Sequence, residues 1–188
     1  MTSAEPAIRQ LSSRVVYRNQ WMSVREDAIA RADGSPGVYS VIDKDDFALV
    51  IPAERGGFWL VEQYRYPVRL RRWEFPQGTF DPGQAGSPAD LARAELAEET
   101  GLVAAELTHL GHLHCAYGMS SQGFDAYLGT GLTRGEPRRS REEQDMRQRW
   151  LPRAEFEALI RAGEITDDSS LAAYTLLLLT ERAGPSAG

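Results

Sequence analysis

Glu95, Glu98 and Glu99 lie within five residues of one another in the alanine-rich run LARAELAEETGL at 91–102. An α-helix advances about 100° per residue. With Leu91 at zero, Glu98, Glu95 and Glu99 therefore stand at roughly 340°, 40° and 80°, so three carboxylates share about a third of the circumference. Like charges at these spacings repel by a few tenths of a kcal/mol per exposed pair, and by more when partly buried. A hard divalent cation relieves that repulsion. Oxygen ligands alone suit magnesium or manganese, and magnesium commonly combines one or two carboxylates with waters and phosphate oxygens. The other reading of the trio is an acidic helix face turned to water.

The helix that must carry these residues has clear ends. Ser87 is placed to cap it, Pro88 suits the first helical position, Asp90 three residues after the cap completes a capping box, and Gly101 stops it. Before it, the segment 13–42 alternates apolar and polar residues around the turn signal DGSPG, which predicts a small antiparallel sheet. FALVIPA (47–53) and FWLVEQYR (58–65) flank ERGG and predict a central hairpin, and WEFPQG (73–78) reads as a short strand ending in a turn. Later strands are expected at THLGHLHC, DAYLGTGL and MRQRWLP, with helices near AEFEALIRAG and SSLAAYTLLLLTERAG. Strands interleaved with helices point to a mixed α/β sheet between helices.

Composition narrows the function classes. The 188 residues are 42% hydrophobic and 26% charged, enough for a sizeable core. A net charge of −6 argues against a chain that coats a nucleic-acid polymer. Lys44 is the sole lysine, and the other basic residues are arginines, which favour bidentate phosphate contacts. The longest apolar run, 171–179, is about half of what a bilayer span requires. Cys115 is the only cysteine, and MTSAEPAIRQ lacks the basic and apolar regions of a secretion signal, so a cytoplasmic location is expected.

The run ELAEETGL (95–102) resembles the second half of the Nudix box: glycine, five residues, glutamate, seven residues, then Arg-Glu-(bulky apolar)-x-Glu-Glu-x-Gly-(bulky apolar). Gly78 with TFDPG resembles its opening. The preceding WEFPQG, and more widely WLVEQYRYPVRLRRWEFPQG, resembles ADP-ribose and ADP-sugar pyrophosphatases. The likeness runs over about 11–179 and implies a Nudix-type α/β/α sandwich with a mixed central sheet and a small N-terminal antiparallel sheet. It divides the chain into a β extension at 1–44, implicated in a homodimer, and a hydrolase domain at 45–188.

By the same resemblance Glu95, Glu98, Glu99 and the carbonyl of Gln77 hold Mg²⁺ or Mn²⁺. The general base lies in the segment SREEQDMRQRWLP, with Glu143 preferred and Glu142 second; a solvated charged loop is the other reading. Arg65 and Glu74 are candidate substrate contacts, with a surface salt bridge as the alternative for Arg65 and an ion pair with nearby Arg71 or Arg72 as that for Glu74, and Ser121 and Gln122 are candidates with a plain turn role as theirs. Trp21 and Trp73 are aromatic platforms for an adenine, or core. His109, His112 and His114 read as structural. The substrate implied is a nucleoside diphosphate derivative such as ADP-ribose or an ADP-sugar, cleaved to nucleoside monophosphate and sugar phosphate. Tyr117, sixteen residues after Gly101, resembles instead the dinucleoside polyphosphate hydrolases. Three departures from the box bear on activity: Gln84 replaces its first glutamate, Ala94 its arginine, and the spacing between them is two residues longer. They motivate a further alternative, a domain that binds a nucleotide without cleaving it.

Overall fold

Alternating apolar and polar residues favour pleated strands with one face buried, and the N-terminal quarter forms three of them. β1 (Ile8–Arg18), β2 (Ser23–Arg31) and β3 (Pro36–Asp43) pair in chain order as an antiparallel sheet. The DGSPG signal supplies the β2–β3 turn, with Gly34 at φ 81°. The computed structural model describes residues 7–81 and 84–184 and divides into two units. The first comprises the residues up to Asp46 together with His114–Gly123, so the loop AYGMSSQ clusters with the N-terminal sheet. There Ser121 N–H donates to the Ile42 carbonyl at 3.0 Å, and Ile42 bridges Ser120.

The second unit, Phe47–Leu113 and the residues from Phe124 on, is built on a seven-stranded sheet. Its strands are β4 (Phe47–Glu54), β5 (Gly57–Arg65), β6 (Leu70–Glu74), β7 (Gln77–Gly78), β8 (Leu102–His114), β9 (Gly123–Arg134) and β10 (Arg147–Pro152). The order is β10-β5-β4-β9-β8, with β6 added to β5 and β7 to β4. β4 runs parallel to β9 and antiparallel to β5 and β7, which makes the sheet mixed. WEFPQG departs from the expected single strand. Pro76 has no N–H to donate, and the strand breaks there into β6 and β7 while the Pro76 carbonyl accepts from Val50 N–H at 2.9 Å.

Ala48 to Ile51 of β4 are fully buried, as a strand covered on both faces requires. Alternation sends Ala48 and Val50 to one face, where they pack with Leu91, Ala92 and Leu96 of helix α1 (Pro88–Thr100). On the opposite side Phe58, Phe75, Phe156 and Tyr174 form a cluster with ring centroids 4.9–5.8 Å apart. Phe156 comes from α2 (Arg153–Arg161), which packs on β5 and β10; Tyr174 comes from α3 (Asp168–Ala183), which packs on β4. The second unit is thus a mixed sheet with helices on both faces. Among the described residues, no helix is long and apolar enough to cross a membrane.

Candidate active site

The capping chemistry read from the sequence fixes the start of α1. Ser87 Oγ accepts from Asp90 N–H at 3.1 Å, and Asp90 Oδ2 accepts in return from Ser87 N–H at 3.2 Å. Gly101 ends the helix in the left-handed region with φ 72°. A Cβ there would lie 2.4 Å from the Gly135 carbonyl, so glycine also permits the later chain to close on the helix end. The buried face runs from Leu91 through Glu99 and Leu96 to Thr100, roughly 0° to 180° on the wheel. Glu99 sits near its middle and is 1% exposed, Glu95 is half-buried, and Glu98 at the edge is exposed.

Burying a carboxylate favours its neutral form. Burial, reinforced by the charges of Glu98, Glu143 and Asp81, pushes the Glu95 carboxyl up to about 8. Burial followed by the charges of Glu95, Glu74 and Glu143 raises Glu99 well above the usual carboxylate range, against the pull of one hydrogen bond from Gln77. That bond runs from Gln77 N–H to Glu99 Oε2 at 3.2 Å. Gly78 makes room for Glu95: a Cβ on it would lie 2.4 Å from Glu95 Oε2. Pairing of Ala48 with Gly78 in β7 holds this stretch of main chain beside α1.

These residues fit a divalent cation. Two carboxylates bear an electrostatic cost that a cation would remove, their donors are all oxygen, and the Gln77 side-chain oxygen beside them is buried without a hydrogen-bond partner. Among the described residues no three His, Cys, Asp or Glu side chains are grouped tightly enough to enclose a metal. A site completed by carbonyls, waters and a ligand's phosphates is the arrangement magnesium prefers.

Residues 135–139 fold back on the last turn of α1. Gly135 N–H donates to the Gly101 carbonyl at 2.7 Å, Arg138 N–H to the Glu98 carbonyl at 2.9 Å, and Arg139 Nε to the Glu99 carbonyl at 2.9 Å. A 3₁₀ turn at Arg141–Glu143 follows, and Glu143 is close enough to raise both Glu95 and Glu99. Its carboxylate accepts from Ser140 N–H at 2.8 Å. The second candidate base, Glu142, lies in the same turn, and its side chain is outside the described residues.

Arg65 and Glu74 pair with each other across β5 and β6. Arg65 Nε donates to Glu74 Oε2 at 3.1 Å, Nη2 donates to Oε1, and Gln63 Nε2 also donates to Oε1 at 2.7 Å. Glu74 is 2% exposed and its carboxyl is raised, chiefly by burial, whereas the Arg65 side chain remains 42% exposed. Burial works against the Arg65 charge, but Glu74, then Asp167 and Glu99, more than restore it. The sequence alternatives for Glu74, Arg71 and Arg72, have other partners: Arg71 binds Glu62 and Asp145, and Arg72 lies 3.6 Å from Glu164. Asp167, the N-cap of α3, accepts from Ser170 N–H at 2.8 Å and from Gln77 Nε2 at 3.2 Å. That tie between α3 and the carboxylate site has no signature in the sequence, nor does the reach of Arg139.

Gln84 is exposed and Ala94 half-buried. Ser121 belongs to the first unit and is exposed, and Gln122 Nε2 donates to the Asp45 carbonyl at 2.8 Å. Trp21, 54% exposed, lines a cleft of about 250 Å³ with Arg18, Asp43 and Lys44 in that unit; Trp73 is half-buried on β6. Cys115 is half-buried. His109 and His112 depart from strict alternation: both face Asp125, at 2.7 and 3.2 Å, with Gly111 at φ 154° between them.

Residues 8–42 match the model of the nucleoside diphosphate sugar hydrolase N-terminal domain, and residues 44–174 match that of the NUDIX domain. Among curated proteins none matches this sequence. Of the solved structures that resemble it, one described as the crystal structure of ADP compounds hydrolase superposes with a TM-score of 0.84 over 98% of this chain and 99% of that one, at 20% identity. That likeness speaks to the fold. The match over 44–174, with the acidic helix and its capping glycine inside it, shows that the chain belongs to the Nudix family of hydrolases.

Proposed function

We propose that this chain hydrolyses the pyrophosphate bond of a nucleoside diphosphate derivative, ADP-ribose or an ADP-sugar, to nucleoside monophosphate and sugar phosphate, with Mg²⁺ or Mn²⁺ as cofactor. The observation that carries the reading is the Glu95–Glu99 pair, turned inward against Gly78 and Gln77, with both carboxyls pushed toward their neutral form by burial and by neighbouring carboxylates. The match of residues 8–42 to the N-terminal domain of nucleoside diphosphate sugar hydrolases supports the substrate class. Glu95, Glu99 and the Gln77 carbonyl would hold the cation, with exposed Glu98 reaching it through water. When bound, such an ion neutralises diphosphate charge and acidifies water for attack at phosphorus. Glu143, or Glu142 beside it, would take a proton from the attacking water on a carboxylate oxygen. The exposed guanidinium of Arg65, held from behind by buried Glu74, meets a phosphate or ribose oxygen.

Two features support a homodimer formed through the first unit. β1 has no buried residue along its 11 positions, and Leu11, Val15, Val16 and Tyr17 are each about half exposed. The single cysteine accords with a cytoplasmic protein.

Turnover by purified protein, with and without Mg²⁺, over a panel of ADP-ribose, ADP-sugars and dinucleoside polyphosphates tests the reading. The expected result is Mg²⁺-dependent release of nucleoside monophosphate from the first two, and loss of at least a hundredfold in kcat in Glu99→Gln with the fold intact. Preference for dinucleoside polyphosphates would move the substrate to that class. Ligand-induced stabilisation with no product would make the chain a nucleotide sensor, as Gln84 and Ala94 allow.

A further inference from the structure

Helix α1 has no basic side chain in its last turn, although that turn carries Glu98, Glu99 and the negative end of the helix dipole. Ala94 stands where the family pattern has an arginine. The cation arrives instead from the later chain. Arg139 Nε donates to the Glu99 carbonyl at 2.9 Å, and Arg139 Nη1 donates to the Met146 carbonyl at 2.5 Å. One planar guanidinium therefore spans two carbonyls, one on the acidic helix and one just beyond residues 140–145, which bear Glu142 and Glu143. The root of that segment is fixed to α1 by main-chain bonds from Gly135 and Arg138. Its far end is braced from β6 by Arg71, which donates to the Asp145 carbonyl at 2.9 Å. Arg139 joins that far end to α1.

We infer that Arg139 is a positioning residue: it locks residues 140–145, and with them the proton-accepting glutamate, against the end of α1 that carries Glu95 and Glu99, supplying the cation that the last turn of α1 lacks. The catalytic part of this inference rests on the function proposed above; the structural part does not. A lysine cannot take over, because one ammonium at the end of a flexible stem does not reproduce the planar fork.

Hydrogen exchange and steady-state kinetics on Arg139→Ala and Arg139→Lys test it together. The Glu143 N–H donates to Ser140 and the Met146 N–H to Glu143 within the segment. In Arg139→Ala both amides are expected to exchange about tenfold faster or more, while the Leu96 amide in α1 keeps its protection. On the active enzyme kcat is expected to fall about tenfold to a hundredfold, with KM changed less than about threefold, since the groups displaced act in the chemical step. Arg139→Lys is expected to restore neither. Unchanged exchange at both amides overturns the lock, and so does full activity in Arg139→Lys. A wild-type protein that turns over nothing in the panel refutes the function, while the exchange data still decide the lock.

Discussion

Metal-free protein should lose stability as the pH rises from about 5 to about 8, and Mg²⁺ should restore it. The perturbation is the ionisation of Glu95 and Glu99 in a site whose nearest charged neighbours are other carboxylates. A carboxyl that holds its proton more tightly folded than unfolded stabilises the fold while both states are protonated. That contribution drains away between the two pKa values. Here the window opens near the ordinary 4.5 and closes for Glu95 at about 8. Each titrating group costs about 1.4 kcal/mol per pH unit inside its window, so Glu95 alone sets a ceiling of about 5 kcal/mol. Solvent at this half-buried side chain trims the figure to about 2–4 kcal/mol. Glu99, shifted in the same direction, adds to it. For a chain of this length such a loss lowers the Tm by about 5–15 °C. A cation that binds only the ionised pair reverses the trend, contributing about 2.7 kcal/mol at a hundred times its Kd. The assay is thermal and urea unfolding from pH 5 to 8.5, with Mg²⁺ and with EDTA. Glu99→Gln should flatten the metal-free curve. A Tm that rises from pH 5 to 8 in EDTA, or an equal Mg²⁺ response at both ends of the range, would refute the reasoning.

Other perturbations separate the remaining roles. In Gly78→Ala the new Cβ occupies the place of the Glu95 carboxylate, 2.4 Å away; the fold should survive and Mg²⁺ affinity by calorimetry should drop about tenfold to a hundredfold. Glu143→Gln should lower kcat by about 10²–10⁴ while Mg²⁺ affinity changes less than about threefold, and normal turnover would transfer the base to Glu142. Leu11→Glu combined with Val16→Glu, both on exposed β1, should give a monomer by light scattering, and an unchanged mass would refute the β1 dimer.

Local chemistry made much of α1 legible in advance. Ser87, Pro88, Asp90 and Gly101 act within a few residues of themselves, and the structure uses each as the sequence suggests. The 3.6-residue period also placed Glu95 and Glu99 together, although it did not reveal that Glu99 lies at the centre of the buried face. That requires knowing that Ala92 and Leu96 pack on β4. Contacts made at long range left no trace. Arg139 reaches Glu99 over forty residues, Gln77 meets Asp167 over ninety, and Arg65 chooses Glu74 through the register of β5 with β6. Adjacent arginines at 71 and 72 offered the sequence two other partners for Glu74, and only the pleat decides among them.

Titration of Mn²⁺ into the protein at pH 8, followed by the electron paramagnetic resonance of the free ion, addresses the acidic helix without relying on turnover. Wild-type protein should remove Mn²⁺ from solution at a stoichiometric site, Mg²⁺ should compete for it, and Glu95→Gln with Glu99→Gln should abolish it. A free-ion signal that grows identically with wild-type and doubly substituted protein would contradict the assignment of these glutamates to a cation.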